Sequence, residues 1–129
     1  MDLGESLKIE FESIAALNGK VYPVMAPQKT VAPYLTYEHG KTDRNTELLG
    51  TANLLESQYQ IEIYHSSYLN LMVLKKLVLT KINSFNLRNL AMTGPYCQQL
   101  EIINDFETYE NLVFLYKGII EFDINYEEE

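Results

Sequence analysis

Between Gln58 and Phe85 the hydrophobic pattern changes period once. Tyr59, Ile61 and Ile63 alternate with Gln58, Gln60 and Glu62, which predicts a strand with one buried face. Ser66 and Ser67 follow, both good helix N-cap types. Then Leu71, Leu74, Val78, Ile82 and Phe85 recur at helical spacing and make one apolar stripe. A strand that turns directly into an amphipathic helix predicts a two-layer domain, with the helix lying across a sheet.

The flanking pattern extends this unit in both directions. Asp2 is placed to cap a first helix, with Leu3, Leu7, Phe11, Ile14 and Leu17 on one face and Asn18-Gly19 as its stop. Val21-Tyr22-Pro23 reads as a short extended piece, because a residue before proline is pushed out of the α region. Pro27 and Pro33 bracket a loop, and Tyr34 to Glu38 reads as the first long strand. Thr42 to Asn53 is polar and contains Gly50, so residues 42–53 read as a mobile connection. Asn83 to Gly94 is a turn-rich link, and Tyr96 to Phe106 is a strand of mixed periodicity. The acidic run Asn104 to Asn111 reads as a turn, and Leu112 to Tyr126 as the longest strand, with Gly118 marking a bulge.

The order is therefore α-β-β-α-β-β. It predicts a single α+β domain over residues 1–129, a four-stranded, mostly antiparallel sheet with two helices packed on one face. Glu, Gln and Asp on the other face leave it to water. Such a sheet has open edges that a symmetric assembly can pair.

Composition narrows the function classes. A chain of 129 residues is long enough for one real core. The net charge of −8 argues against tight phosphate binding and against an anionic membrane surface. No apolar run approaches the roughly 20 residues of a membrane span, and MDLGESLKIEF lacks the apolar region of a signal peptide. The single cysteine, Cys97, excludes an internal disulfide, fits a reducing cytoplasm and reads as a structural group within a strand. Ten tyrosines and no tryptophan suit half-buried strands and protein contacts, or reflect sheet propensity alone.

Candidate chemistry is sparse. The sequence has no GxGxxG, GxxxxGK[ST], HExxH or CxxC. His39 and His65 end two strands that can be neighbours, so a shared metal site is geometrically open, yet Glu38 points to the opposite face and strand-end histidines are expected. Asp105, Glu107 and Glu110 lack the spacing and glycine of a calcium loop and read as a solvated hairpin turn. Ser66 and Ser67 read as caps, and Lys75, Lys76 and Lys81 as snorkelling side chains off the apolar stripe. No catalytic group, cofactor or metal is expected.

Two segments together resemble a known family. Val21-Tyr22-Pro23, Ala26-Pro27-Gln28 and Pro33-Tyr34-Leu35-Thr36-Tyr37 are followed, after a polar gap, by Tyr59 to Tyr64 and Ser67-Tyr68. This resembles the tail-completion, or tail-to-head joining, proteins of long-tailed bacteriophages, which are similar in plan to phage tail terminators. The likeness covers the first helix through Phe85, and the acidic C-terminus departs from it. It implies a non-enzymatic virion protein, made in the host cytoplasm, that forms a homo-oligomeric ring, commonly a hexamer, at the head–tail interface. Its partners would be the tail-tube protein and the head connector or stopper. DNA would pass through unbound, consistent with roughly fifty negative charges on six copies. Asp43, Arg44 and Glu47 in the 42–53 connection are candidate contact residues that would order on docking. A reading from another class is a monomeric acidic adaptor or inhibitor in the cytoplasm.

Overall fold

The computed structural model describes residues 2–44 and 54–127, with backbone alone at positions 43, 44 and 54. The first helix, α1 (Leu3–Glu12), starts where the pattern requires. The Asp2 carboxylate accepts from the Glu5 amide at 2.8 Å and satisfies one of the unpaired first-turn donors. It stops at Ser13, well before Asn18-Gly19, and Ser13 caps it through its own hydroxyl on Glu10 O. A short 3-10 turn at Ala15–Leu17 then carries Ile14 and Leu17 into the core, and Gly19 closes it at φ +71°. The apolar stripe survives with a different backbone beneath its second half.

Six strands follow: β1 (Val21–Pro23), β2 (Tyr34–Arg44), β3 (Leu54–His65), β4 (Arg88–Asn89), β5 (Tyr96–Glu110) and β6 (Leu115–Glu127). The second helix, α2 (Tyr68–Asn83), lies between β3 and β4 in sequence. Ser67 is its N-cap, its hydroxyl accepting from the Asn70 amide at 3.3 Å.

The sheet corrects the four-stranded expectation. It is one curled, six-stranded sheet in the order β1-β2-β3-β6-β5-β4, mixed because β1 runs parallel to β2. The additional strands are the three residues Val-Tyr-Pro and the pair Arg88–Asn89. Neither is long enough to show a period-two pattern. Pro23 is tolerated in β1 because that strand is an edge.

The β5–β6 hairpin is also longer than expected. Asn104 to Glu110 belong to β5, and the turn lies at Asn111–Phe114, with Phe114 at φ +58°. Most of Gln98 to Glu110 is exposed on both sides, so its hydrophobic pattern carries no strand period. Cross-strand pairing with β6 holds it extended. Gly118 is no bulge: its register with Ile63 and with Glu107 is unbroken. It lies directly beneath α2, where a Cβ would stand 3.4 Å from Lys75 and 3.5 Å from Leu71. Register shifts fall instead at His39/Lys41 in β2 and at two places in β5.

Both helices pack on one face. Leu35, Ile61, Ile63, Ile120, Phe122 and Ile124 of the sheet meet Leu7, Phe11, Leu71, Val78 and Ile82 of the helices, all buried. Phe11 and Phe85 meet edge to face at 5.8 Å and fasten the helical layer together.

Candidate functional site: a tyrosine face and two open edges

The alternation that sends Leu35 and Ile63 toward the helices sends Tyr34, Thr36, Glu62 and Tyr64 to the helix-free face. Tyr34 and Tyr64 are cross-strand partners whose rings stack at 4.7 Å and 22°. Tyr22 stands edge-on to Tyr34 at 6.5 Å. Lys117, paired with Tyr64 across the β3–β6 ladder, holds its ammonium 5.7 Å from that ring and binds Glu62 at 3.1 Å and Glu110 at 3.5 Å. Burial, and secondarily Glu62, raises both the Tyr34 and Tyr64 hydroxyls above the ordinary tyrosine range. Burial opposes the charge on Lys117, but Glu62, Tyr64 and Glu110 together more than offset it and the net shift is upward. At neutral pH the cluster is therefore two neutral phenols beside a fixed ion pair.

The polypeptide after β1 and the tip of the β5–β6 hairpin overhang this face. Val24, Met25, Tyr34, Tyr64, Leu112 and Val113 help enclose a recess of about 230 Å³. The helix-free face is thus aromatic and partly covered at this end, rather than polar throughout. The resembling motifs meet here: VYP supplies Tyr22, the segment after it supplies Val24 to Ala26, PYLTY supplies Tyr34 and Thr36, and Tyr64 closes the second motif.

Both sides of the sheet stay open among the described residues. β1 covers only Leu35 to Tyr37 of β2. β4 covers only Tyr96 and Cys97 of β5, so Gln98 to Glu110 present an outer edge with no strand beside it. Against that edge lies the solvent side of α2, where Leu69, Met72, Val73 and Leu77 are exposed. A recess of about 620 Å³ lies between Met72, Val73 and Leu79 of the helix and Asp105 and Glu107 of β5.

Several expected roles change. Asp105 and Glu107 are no solvated turn: both carboxylates bind the ammonium of Lys75. Lys75 does not snorkel, being 4% exposed on the inner side of α2. Burial disfavours its charge, but the two carboxylates more than compensate and raise its pKa. Glu10 is likewise buried and held by the Arg88 guanidinium in a fork at 2.6 and 3.0 Å and by the Ala91 amide at 2.7 Å. Both networks join distant parts of the chain, and a single sequence carries no sign of such pairs.

His39 and His65 do not meet. Their strands are neighbours, but His39 pairs with Tyr59 and His65 lies at the other end of β3, roughly 20 Å along an antiparallel ladder. Among the described residues no group of three or more His, Cys, Asp and Glu is placed to hold a metal. The His39 ring bonds Thr42 at 2.6 Å, and Thr42 and Ser57 hydroxyls continue the chain to the buried Tyr126 hydroxyl. That chain satisfies buried polar groups. Cys97 is buried in β5, where burial pushes its thiol up to about 11. Asp43 and Arg44 are the last residues of β2, paired with Glu56 and Leu55, so Thr42 to Arg44 are strand. Glu47, with the rest of 45–53, lies outside the described residues.

Two exposed apolar surfaces lie outside the predicted stripes. Leu69, Met72, Val73 and Leu77 lie outside the α2 stripe, and that surplus of apolar residues is the sequence signal of a second, exposed apolar surface on the helix. Leu112 to Phe114 read as the start of a strand and form an exposed tip instead.

No helix among the described residues is long and apolar enough to cross a membrane. No family model matches the chain, and no curated protein matches it. Among solved structures it is similar to a chain of the virion of a native gene transfer agent particle, with a TM-score of 0.70 and 12% identity. The match covers 97% of this chain and 94% of that one. At that identity the likeness establishes a shared fold.

Proposed function

We propose that this chain is a structural virion protein of a phage-like particle, forming a ring at the head-proximal end of the tail tube and joining tail to head connector. The observation that carries the reading is a fold shared, over nearly the whole of both chains, with a component of a virion. The family-like motifs support it: their alternate residues fill the core, as Val21, Leu35, Ile61 and Ile63 do, while Tyr22, Tyr34 and Tyr64 come together on one tyrosine face. Aromatic clusters with a polar tip are typical of protein contacts. Open edges on β2 and β5 offer distinct surfaces, the arrangement that closes head to tail into rings. A joint of this kind requires no cofactor and no catalytic group, and an acidic ring lets DNA pass without gripping it. The partners in this reading are further copies of the chain, the tube protein and the connector.

Inactivating the gene in a particle-producing host tests the role. Filled heads and finished tubes should accumulate unjoined, seen by electron microscopy. Joined particles at normal yield would rule the role out.

A further inference from the structure

The two sides of the sheet differ in charge. Residues 13–37 contain no acidic side chain although the chain holds 18, and they include Lys20 and Lys29. This stretch includes β1 and the loop after it, at one end of the strand order. Tyr96 to Glu110, toward the other end, carries Glu101, Asp105, Glu107 and Glu110 and no lysine or arginine.

Each side also exposes apolar groups. On the β1 side these are Met25 and Val31, 75% and 74% exposed. Their loop has a fixed shape: Lys20 donates to Val31 O, Thr30 bonds Pro27 O, and Val24 and Lys29 sit at φ 64° and 66°. A β-branched valine at such an angle is a genuine outlier that the surroundings must hold in place. On the β5 side, the recess between Met72, Val73, Asp105 and Glu107 combines an apolar wall with an acidic rim. Lys75 in its floor faces the two carboxylates. Lys76, which also borders it, is exposed, so the acidic character of this side comes from the strand as a whole, Glu101 to Glu110, and not from the recess alone.

We infer that in the ring the acid-free β1 edge of one copy docks on the acidic β5–α2 edge of the next, with Val31 and Met25 at the Met72–Val73 wall and Lys29 at the Asp105–Glu107 rim. This rests on the ring reading and gives it a polarity. A two-fold contact of the β5 edge with itself would oppose like charges and is disfavoured. Two different, complementary patches on one chain make a heterologous contact, which closes or propagates.

Cross-linking tests the contact. Val31→Cys and Val73→Cys are made separately at exposed positions, mixed at high concentration and treated with a short bis-maleimide. Cys97 stays silent because it is buried and its thiol is raised to about 11. The mixture should give a covalent dimer that neither variant gives alone, and a double variant should give a ladder ending at the ring. Lys29→Glu should weaken association about tenfold per contact. Rings that assemble but yield no mixed dimer, or that ignore Lys29→Glu, would overturn the contact and leave the ring reading standing. A chain monomeric at every concentration would overturn both.

Discussion

The two faces of the sheet are built to opposite rules. The helix-covered face is aliphatic and closed: Ile61, Ile63, Ile120, Phe122 and Ile124 are fully buried beneath α1 and α2. The bare face carries a tyrosine stack, a lysine with two carboxylates and an overhung recess. Strand alternation creates both from the same strands, successive residues pointing to opposite faces. The difference separates what holds the fold from what is available to a partner.

Truncation measures that separation most strongly at Phe122, which is fully buried and lies 6.1 Å from the Tyr59 ring. Phe122→Ala should cost about 4 kcal/mol in denaturant unfolding. A loss under about 1 kcal/mol would mean the covered face is not the core.

The helical layer gives a second break point. A Cβ on Gly94 would stand 2.1 Å from Ser6 Oγ and 2.7 Å from Leu90 O. Gly94→Ala should cost about 2 to 3 kcal/mol, because the carbonyl cannot rotate away as a side chain can. Ser6→Ala alongside it relieves only the hydroxyl clash and should restore part of the loss.

Glu10 adds a pH signature. Burial pushes its carboxyl up, but Arg88, the Ala91 amide and Lys81 together bring it below the 4.5 of an ordinary glutamate. A depressed folded pKa stabilises above the unfolded value, and that contribution disappears as pH falls through the folded one. Glu10→Gln should therefore cost about 2 kcal/mol at neutral pH, with the gap to wild type narrowing below about pH 4.5. A gap that stays constant down to acid unfolding would show that the charge is not what the fork recognises.

The smallest effect belongs to the bare face. Tyr64→Ala removes the stack on Tyr34 and the ring beneath Lys117, and should cost only about 1 kcal/mol. In the ring reading it should impair assembly more than stability. Equal losses in Tyr64→Ala and Phe122→Ala would erase the distinction between the faces.

The sequence disclosed the covered face better than the bare one, for a physical reason. Leu3, Leu7, Phe11, Leu71, Val78 and Ile82 repeat at helical spacing because one neighbour, the sheet, buries them all. Ile61 and Ile63 alternate for the same reason. The missed features lack a single neighbour. β1 and β4 are too short for a period, and the outer half of β5 has no fully buried face. Lys75 reads as exposed because nothing local announces Asp105 and Glu107, thirty residues on and brought beside it by the β5–β6 hairpin. The tyrosine cluster was legible as a count and as motifs, while its convergence on one recess depends on β2–β3 register.

Self-association is the property that the edge-and-face account requires first. Sedimentation velocity from roughly micromolar to millimolar protein, with the concentrations chosen to span weak contacts, measures it directly. The account predicts a monomer giving way to one discrete closed species, the mark of a heterologous contact that closes. A monomer throughout, or a two-fold dimer as the end point, would contradict it.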